Sequence, residues 1–201
     1  MKGFVLAATL LCACGSSSTA STKSPTTNAD GNSDCAEGEI EACTAACDGD
    51  DVHACLVLGA TYEDRKDDGK AVAAFHKACD RGLGTACGAL SMHYLEGRGV
   101  AADATIAASM ASKGCDEGSA ASCALAGGMA QDGAGGAQDY ARAAKLYERG
   151  CALGEQHACS ALGYLYVDGK GVARDEKKGA ELIEKGCKGG DKEACKALGK
   201  P

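Results

Sequence analysis

Apolar side chains return along this chain at helical spacing and in register with cysteine. Three places after Cys55, Cys87, Cys123, Cys159 and Cys195 stand Leu58, Leu90, Ala126, Leu162 and Leu198. Seven places after the first four stand Tyr62, Tyr94, Ala130 and Tyr166. Offsets of three and seven hold one face of an α-helix, so each of these cysteines is predicted to open a first helix. Gly97, Gly133 and Gly169, followed by Gly99, Gly135 and Gly171, end that helix and turn the chain. Asp103, Asp139 and Asp175 then suit N-caps, because a short carboxylate accepts the free amide hydrogens of a helix start. A second helix begins there. Seven and eight places before the next cysteine its residues are small, at Ala71 and Val72, Ala107 and Ala108, Ala143 and Ala144, and Gly179 and Ala180. One turn later Phe75, Met110, Leu146 with Tyr147, and Leu182 with Ile183 are large enough to fill a seam. The first unit lacks four residues of the Gly-rich turn, so its loop around Arg65 to Asp68 is expected to be shorter.

Cysteine organises the pattern. Twelve of the 14 Cys fall into six pairs of the form Cys-x7-Cys: Cys35 and Cys43, Cys47 and Cys55, Cys79 and Cys87, Cys115 and Cys123, Cys151 and Cys159, Cys187 and Cys195. The last four pairs start 36 residues apart, which marks an array of one supersecondary unit and predicts an all-α solenoid of stacked helical hairpins. On one continuous helix the two Cα atoms of such a pair would lie about 12 Å apart, whereas a disulfide spans at most about 7 Å. The segment must therefore turn, and a Gly three residues after the first Cys (Gly38, Gly82, Gly118, Gly154, Gly190) supplies a left-handed terminator. The second unit has Gly49 and Asp50 instead. Structural zinc draws on shorter Cys spacings, so the pairs read as disulfides and no metal site is expected. His53 and His157 read as solvent-facing, and the acidic knots at Asp48 to Asp51 and Glu63 to Asp68 as solvated loops or caps. The Cys35 and Cys43 pair is the loosest member, since Cys47 follows only four residues later.

The start of the chain carries an address. Lys2 precedes an apolar run from Phe4 to Leu11 that is too short to span a bilayer and reads as an export signal over residues 1–13. Leu11-Cys12-Ala13-Cys14 resembles the bacterial lipobox, which implies lipid attachment at Cys14; in such lipoproteins the absence of Asp after the modified Cys implies transport to the outer membrane, facing the periplasm or the cell surface. Residues 14–33, reading GSSSTASTKSPTTNADGN from Gly15 to Asn32, form an attachment point and flexible tether. The solenoid is expected over residues 34–201. A formal net charge of -7 gives no nucleic-acid footprint, and a membrane is expected to be met through the lipid alone. So many Cys in an exported chain fit an oxidising compartment.

Ala-Cys-x2-Leu-Gly-x2-Tyr, then Gly-x-Gly-Val, Asp and a Lys-Ala helix, resembles the Sel-1-like repeat, a relative of the tetratricopeptide repeat. Residues 158–187 carry it most fully, at Ala158, Cys159, Leu162, Gly163, Tyr166, Gly169, Gly171, Val172, Asp175, Lys178, Ala180, Gly186 and Cys187. The third unit has Ala126 and Ala130 for Leu and Tyr, which implies thinner packing. The resemblance implies an α/α solenoid that scaffolds protein complexes through a concave face of first helices. Members with Cys-x7-Cys resemble secreted cysteine-rich bacterial proteins, some described as binding or hydrolysing penicillin, and a mitochondrial assembly factor.

Three functions stay open on the sequence. The leading one is a module binding a protein or peptide partner, with Tyr62, His93, Tyr94, Tyr164 and Tyr166 as candidate contacts on the concave face. A β-lactamase-like enzyme is the second, yet neither Ser-x-x-Lys nor Lys-Thr-Gly occurs and no catalytic residue is assigned. A thiol- or metal-handling assembly factor is the third, without a Cys-x2-Cys element to support it. No cofactor is implied.

Overall fold

The computed structural model describes residues 40–199. The export signal, Cys14, the tether and Cys35 lie outside the described residues. Within them run α1 (Ile40–Asp48), α2 (Val52–Asp64), α3 (Asp68–Asp80), α4 (Gly84–Glu96), α5 (Ala104–Asp116), α6 (Ala120–Asp132), α7 (Tyr140–Ala152), α8 (Gln156–Asp168), α9 (Glu176–Lys188) and α10 (Lys192–Ala197). No strand occurs among the described residues. The pairs α2/α3, α4/α5, α6/α7 and α8/α9 form the tightest hairpins, and each packs on its neighbours in chain order. The result is a solenoid of first and second helices.

Local chemistry sets the boundaries. Asp103 accepts hydrogen bonds from the amides of Thr105 and Ile106 at 2.9 and 3.0 Å. Asp139 and Asp175 accept from Arg142 and Lys178, both at 2.9 Å. These caps satisfy amides that the first turn leaves without a helical partner. In the first unit Asp67 takes that role, and the loop shrinks to three residues between Asp64 and Asp68.

Disulfides Cys47–Cys55, Cys79–Cys87, Cys115–Cys123, Cys151–Cys159 and Cys187–Cys195 join the end of each second helix to the start of the next first helix. For the first of them that second helix is α1. The Cα atoms lie 4.4 to 4.7 Å apart, which a continuous helix could not achieve. Cys43 is also disulfide-bonded. Each junction turns through a left-handed residue. Where the others have Gly, the junction after α1 uses Asp50 at φ 74°, anchored by an ion pair to Arg81 at 2.8 Å.

The seams are built from small groups. Of 32 buried apolar residues, 14 are Ala and nine are Cys. Ala71, Ala107, Ala143 and Gly179, all eight places before a Cys, are buried, while Ala180, one place on, is exposed. From the second helices large side chains enter the core singly, at Phe75, Tyr147 and Ile183, each four places before its Cys, while the first helices add Leu58, Leu90, Met129, Leu162 and Leu165.

Two glycines separate the conformational cost of a left-handed residue from the steric one. Gly118 (φ +84°) faces open space, whereas at Gly171 (φ +69°) a Cβ would collide with the Tyr140 carbonyl of the preceding hairpin. Gly118→Ala is expected to cost about 1 kcal/mol, and Gly171→Ala at least twice that because neighbouring units must separate. Chemical denaturation of the two variants measures the difference.

Burial pushes the Tyr147 phenol up from 10 to about 12, with the Asp132 carboxylate adding to the shift. The folded state thus favours the neutral phenol. That contribution is complete below pH 10 and disappears as pH rises toward 12, a loss of roughly 2 kcal/mol. Denaturation midpoints measured across this window should fall for the wild type and fall less steeply for Tyr147→Phe.

Candidate functional site

In each first helix the second Cys points into the seam. At 100° per residue, positions two before that Cys and two, five and nine after it project to the opposite side. From α4 this side carries Thr85, Ala89, Met92 and Glu96; from α6, Ala121, Leu125, Gly128 and Asp132. A groove of about 330 Å³ opens between these two helices, with Met92 and Leu125 as its largest lining residues and Gly88 and Ala89 beneath. Small residues make it: α2 has Leu56 and Val57 where α4 has Gly88 and Ala89. Ser122 Oγ, at the bottom, donates to the Gly84 carbonyl at 3.1 Å and lies 2.9 Å from Ser119 Oγ. The polar atoms are thereby occupied internally. No charged side chain lines the groove.

Charge is sorted by layer. Helices α2, α4, α6 and α8 contain no Lys or Arg, and they end in Asp64, Glu96, Asp132 and Asp168. A carboxylate at a helix C-terminus opposes the helix dipole, so this recurring choice costs stability. Glu96 pairs with Arg98 at 2.7 Å and Asp168 with Lys170 at 2.9 Å. Asp64 and Asp132 have no ion pair among the described residues. The cations gather on the second helices, where Asp48–Lys77 (2.6 Å), Asp80–Lys113 (3.0 Å) and Asp116–Arg149 (2.9 Å) form a ladder from each unit to the next. The fourth rung is absent: Ala152 replaces the acid, and Lys185 Nζ lies 3.3 Å from the Cys151 carbonyl.

The five candidate contact residues divide. Tyr62, Tyr94 and Tyr166 stand seven places after their Cys and so return to the seam side. Each is half-buried against its hairpin. Lys178 Nζ lies 4.1 Å from the Tyr166 ring centroid and donates to its hydroxyl at 2.6 Å. Lys70 sits 5.4 Å over Tyr62, and the Tyr94 hydroxyl is 3.2 Å from His76 Nε2. His93 is fully buried, which removes it from any contact face. Its Nδ1 meets the Arg98 carbonyl at 2.9 Å and its Nε2 meets Glu63 Oε1 at 3.0 Å, while Arg98 Nη1 donates to the same carboxylate oxygen at 2.8 Å. The imidazole therefore ties the end of α2 to the loop after α4. Burial holds the Arg98 guanidinium pKa down, but its bond to Glu63 outweighs this and raises it.

Tyr164, five places after Cys159, is the one candidate on the outward side, 40% exposed. Partial burial raises its phenol, and Asp191 and Glu193 raise it further. Met92, Leu125 and the terminal acids are additional residues of this face. Their signal in the sequence was the lack of Lys and Arg in α2, α4, α6 and α8, which the last first helix, α10, breaks with Lys192 and Lys196. The third unit, with Ala126 and Ala130 for Leu and Tyr, leaves a void of about 30 Å³ lined by those residues, Met129 and Arg142. Arg142 takes the place that Lys70 and Lys178 hold over their tyrosines, finds no ring, and donates instead to Ser112 Oγ at 3.0 Å.

Comparison with known proteins places this architecture. The sequence matches the Sel1 repeat four times, over residues 52–83, 85–119, 120–155 and 156–191. No curated protein matches significantly. Among solved structures, a Sel1 repeat protein from Oxalobacter formigenes is 26% identical over 80% of this chain and 67% of its own, with a TM-score of 0.74. The protein c5321, a protective antigen present in uropathogenic Escherichia coli strains, is 27% identical over 77% of this chain, with a TM-score of 0.71; the match spans 34% of that protein's length. Cysteine rich protein B of Helicobacter pylori is 29% identical over 66% of this chain and 95% of its own, with a TM-score of 0.54.

The interrupted ladder on the second helices yields a test. Ala152→Asp should supply the missing partner for Lys185 and raise stability by about 0.2–1 kcal/mol, as an exposed ion pair does. The gain should vanish in high salt, which thermal melts at two ionic strengths would show.

Proposed function

The chain belongs to the Sel1 repeat family, and on that premise we propose that it is a protein-binding scaffold held in the cell envelope by a lipid on Cys14. The observation that carries the reading is the apolar groove between α4 and α6, open on a side that no described part of the chain covers. Sel1 repeat proteins bind protein partners, and stacked repeats offer extended surfaces for this purpose. The disulfides give the groove fixed walls, since the two helices that form it each begin at a stapled junction. They also mark an extracytoplasmic protein, because such bonds persist in oxidising compartments. The export signal and the lipobox-like Leu11-Cys12-Ala13-Cys14 support an outer-membrane lipoprotein. In this reading residues 14–33 are the tether and residues 34–201 the binding body.

Labelling with a fatty-acid analogue should mark the wild-type chain and leave Cys14→Ser unlabelled. A photo-crosslinking residue placed at Met92 or Tyr164 in cells should capture a discrete protein adduct, while the same group at Lys145 on a second helix should not. Equal capture from both layers, or none from the first helices, would sink the scaffold reading.

A further inference from the structure

We infer that the Cys151–Cys159 bond is a thiol–disulfide exchange site that accepts electrons from a dithiol more readily than the staples inside the array before it, with Lys185 as the group that makes it so. The site lies at the junction of α7 and α8, apart from the groove between α4 and α6, and does not depend on the scaffold reading.

A repeated arrangement and its exception point there. Two places before Cys79, Cys115 and Cys151 stand Lys77, Lys113 and Arg149, each held by the acid one place after the preceding unit's Cys, at Asp48, Asp80 and Asp116. Lys185 is the corresponding cation of the last unit, but Ala152 occupies the acid's place. Lys185 has no ion pair among the described residues, and its neighbour Glu184 pairs with Lys188 at 3.3 Å. The ammonium turns instead to the junction, where Nζ lies 3.3 Å from Cys151 Sγ and 3.3 Å from the Cys151 carbonyl. Arg81 also approaches a disulfide sulfur, Cys55 Sγ, at 3.7 Å. Its charge is matched by Asp50 at 2.8 Å, and Cys55 is fully enclosed, whereas Cys151 is 5% exposed.

A cation beside sulfur has its effect when the sulfur becomes an anion. A thiolate of the dithiol attacks Cys151 Sγ; the new S–S bond forms as the Cys151–Cys159 bond breaks, and Cys159 departs with the electron pair. The dithiol's second thiol gives its proton to Cys159. Its sulfur then attacks the reductant's own sulfur in the mixed disulfide and releases Cys151 as a thiolate beside Lys185. The dithiol is thereby oxidised to its disulfide, and the two electrons leave the pair as one thiol and one thiolate. Lys185 draws in the attacking anion and stabilises the departing one, and a stabilised reduced form makes a disulfide the stronger oxidant. Opening the bond leaves the joint packed, because Tyr147 of α7 shares a buried cluster with Leu162 and Leu165 of α8. The site is therefore reversible.

The test equilibrates the full chain in mixtures of reduced and oxidised dithiothreitol at pH 8, traps free thiols by alkylation, and reads each cysteine by mass spectrometry. The Cys187–Cys195 pair, more exposed at the end of the array, is left out of the comparison. Cys151 and Cys159 should become alkylated at a lower dithiol fraction than the internal pairs Cys79–Cys87 and Cys115–Cys123, with the helical circular dichroism retained. Lys185→Gln should raise the dithiol needed roughly fivefold, and Lys185→Arg should keep the wild-type value. Ala152→Asp, which draws Lys185 back to the ladder, should act like Lys185→Gln. A purely structural Lys185 gives the opposite sign, since a weakened joint opens more easily. Equal opening of the three internal pairs, an unchanged or easier reduction in Lys185→Gln, or loss of the helical signal when this bond alone is open would overturn the inference.

Discussion

At each junction between hairpins a sulfur–sulfur bond joins the last turn of one second helix to the first turn of the next first helix, and the packing of the whole array is arranged around that contact. Most of the buried apolar groups are Ala or Cys, which bury little area each and so contribute little hydrophobic stabilisation. Small seams bring helix backbones close and leave few large side chains to fix their relative angle. The bond supplies that constraint. It limits the freedom of the unfolded chain, by about 2–3 kcal/mol in the chain-entropy picture, and it sets the start of each first helix in space. Left-handed residues at the same junctions let the chain reverse within the short segment that the bond closes.

With the seams fixed in this way, the two layers have diverged in charge. The second helices carry the cations and link units through Asp–Lys and Asp–Arg pairs, each weak alone. Helices α2, α4, α6 and α8 carry no Lys or Arg and expose Ala, Met, Leu and terminal acids. One layer serves cohesion between units, the other is free to recognise something else. The third unit is thin on the seam side, where Ala126 and Ala130 leave a void, and it also contributes Leu125 to the groove on the outward side.

Much of this organisation was legible in the sequence, because it depends on spacing. The 36-residue period, the Asp caps and the need for a turn inside Cys-x7-Cys follow from residue positions and helix geometry. The short loop before Asp68 followed from a count of missing residues. Contact residues were harder to read. Tyr62, Tyr94 and Tyr166 have the polar-tipped aromatic character of binding residues, but their seven-residue offset returns them to the seam. His93 was misplaced because an offset of six points sideways, toward the preceding first helix, and only the three-dimensional stack shows that Glu63 and the Arg98 carbonyl wait there. The groove arises where residues of α4 meet residues of α6 and its N-cap, and no linear pattern announces a hollow between neighbours.

The local nature of the bonds bears on how the chain acquires them during oxidation. Partners within a pair are eight residues apart, whereas Cys87 and Cys115, the nearest cysteines of adjacent pairs in that region, are 28 apart. In an unstructured chain, closing the shorter loop is favoured roughly sevenfold on entropy alone. From Cys79 onward correct thiol pairing is therefore encoded by proximity before any helix has docked, and each of these units can be sealed on its own. Those units can mature independently of one another, with few long-range mispairings to undo.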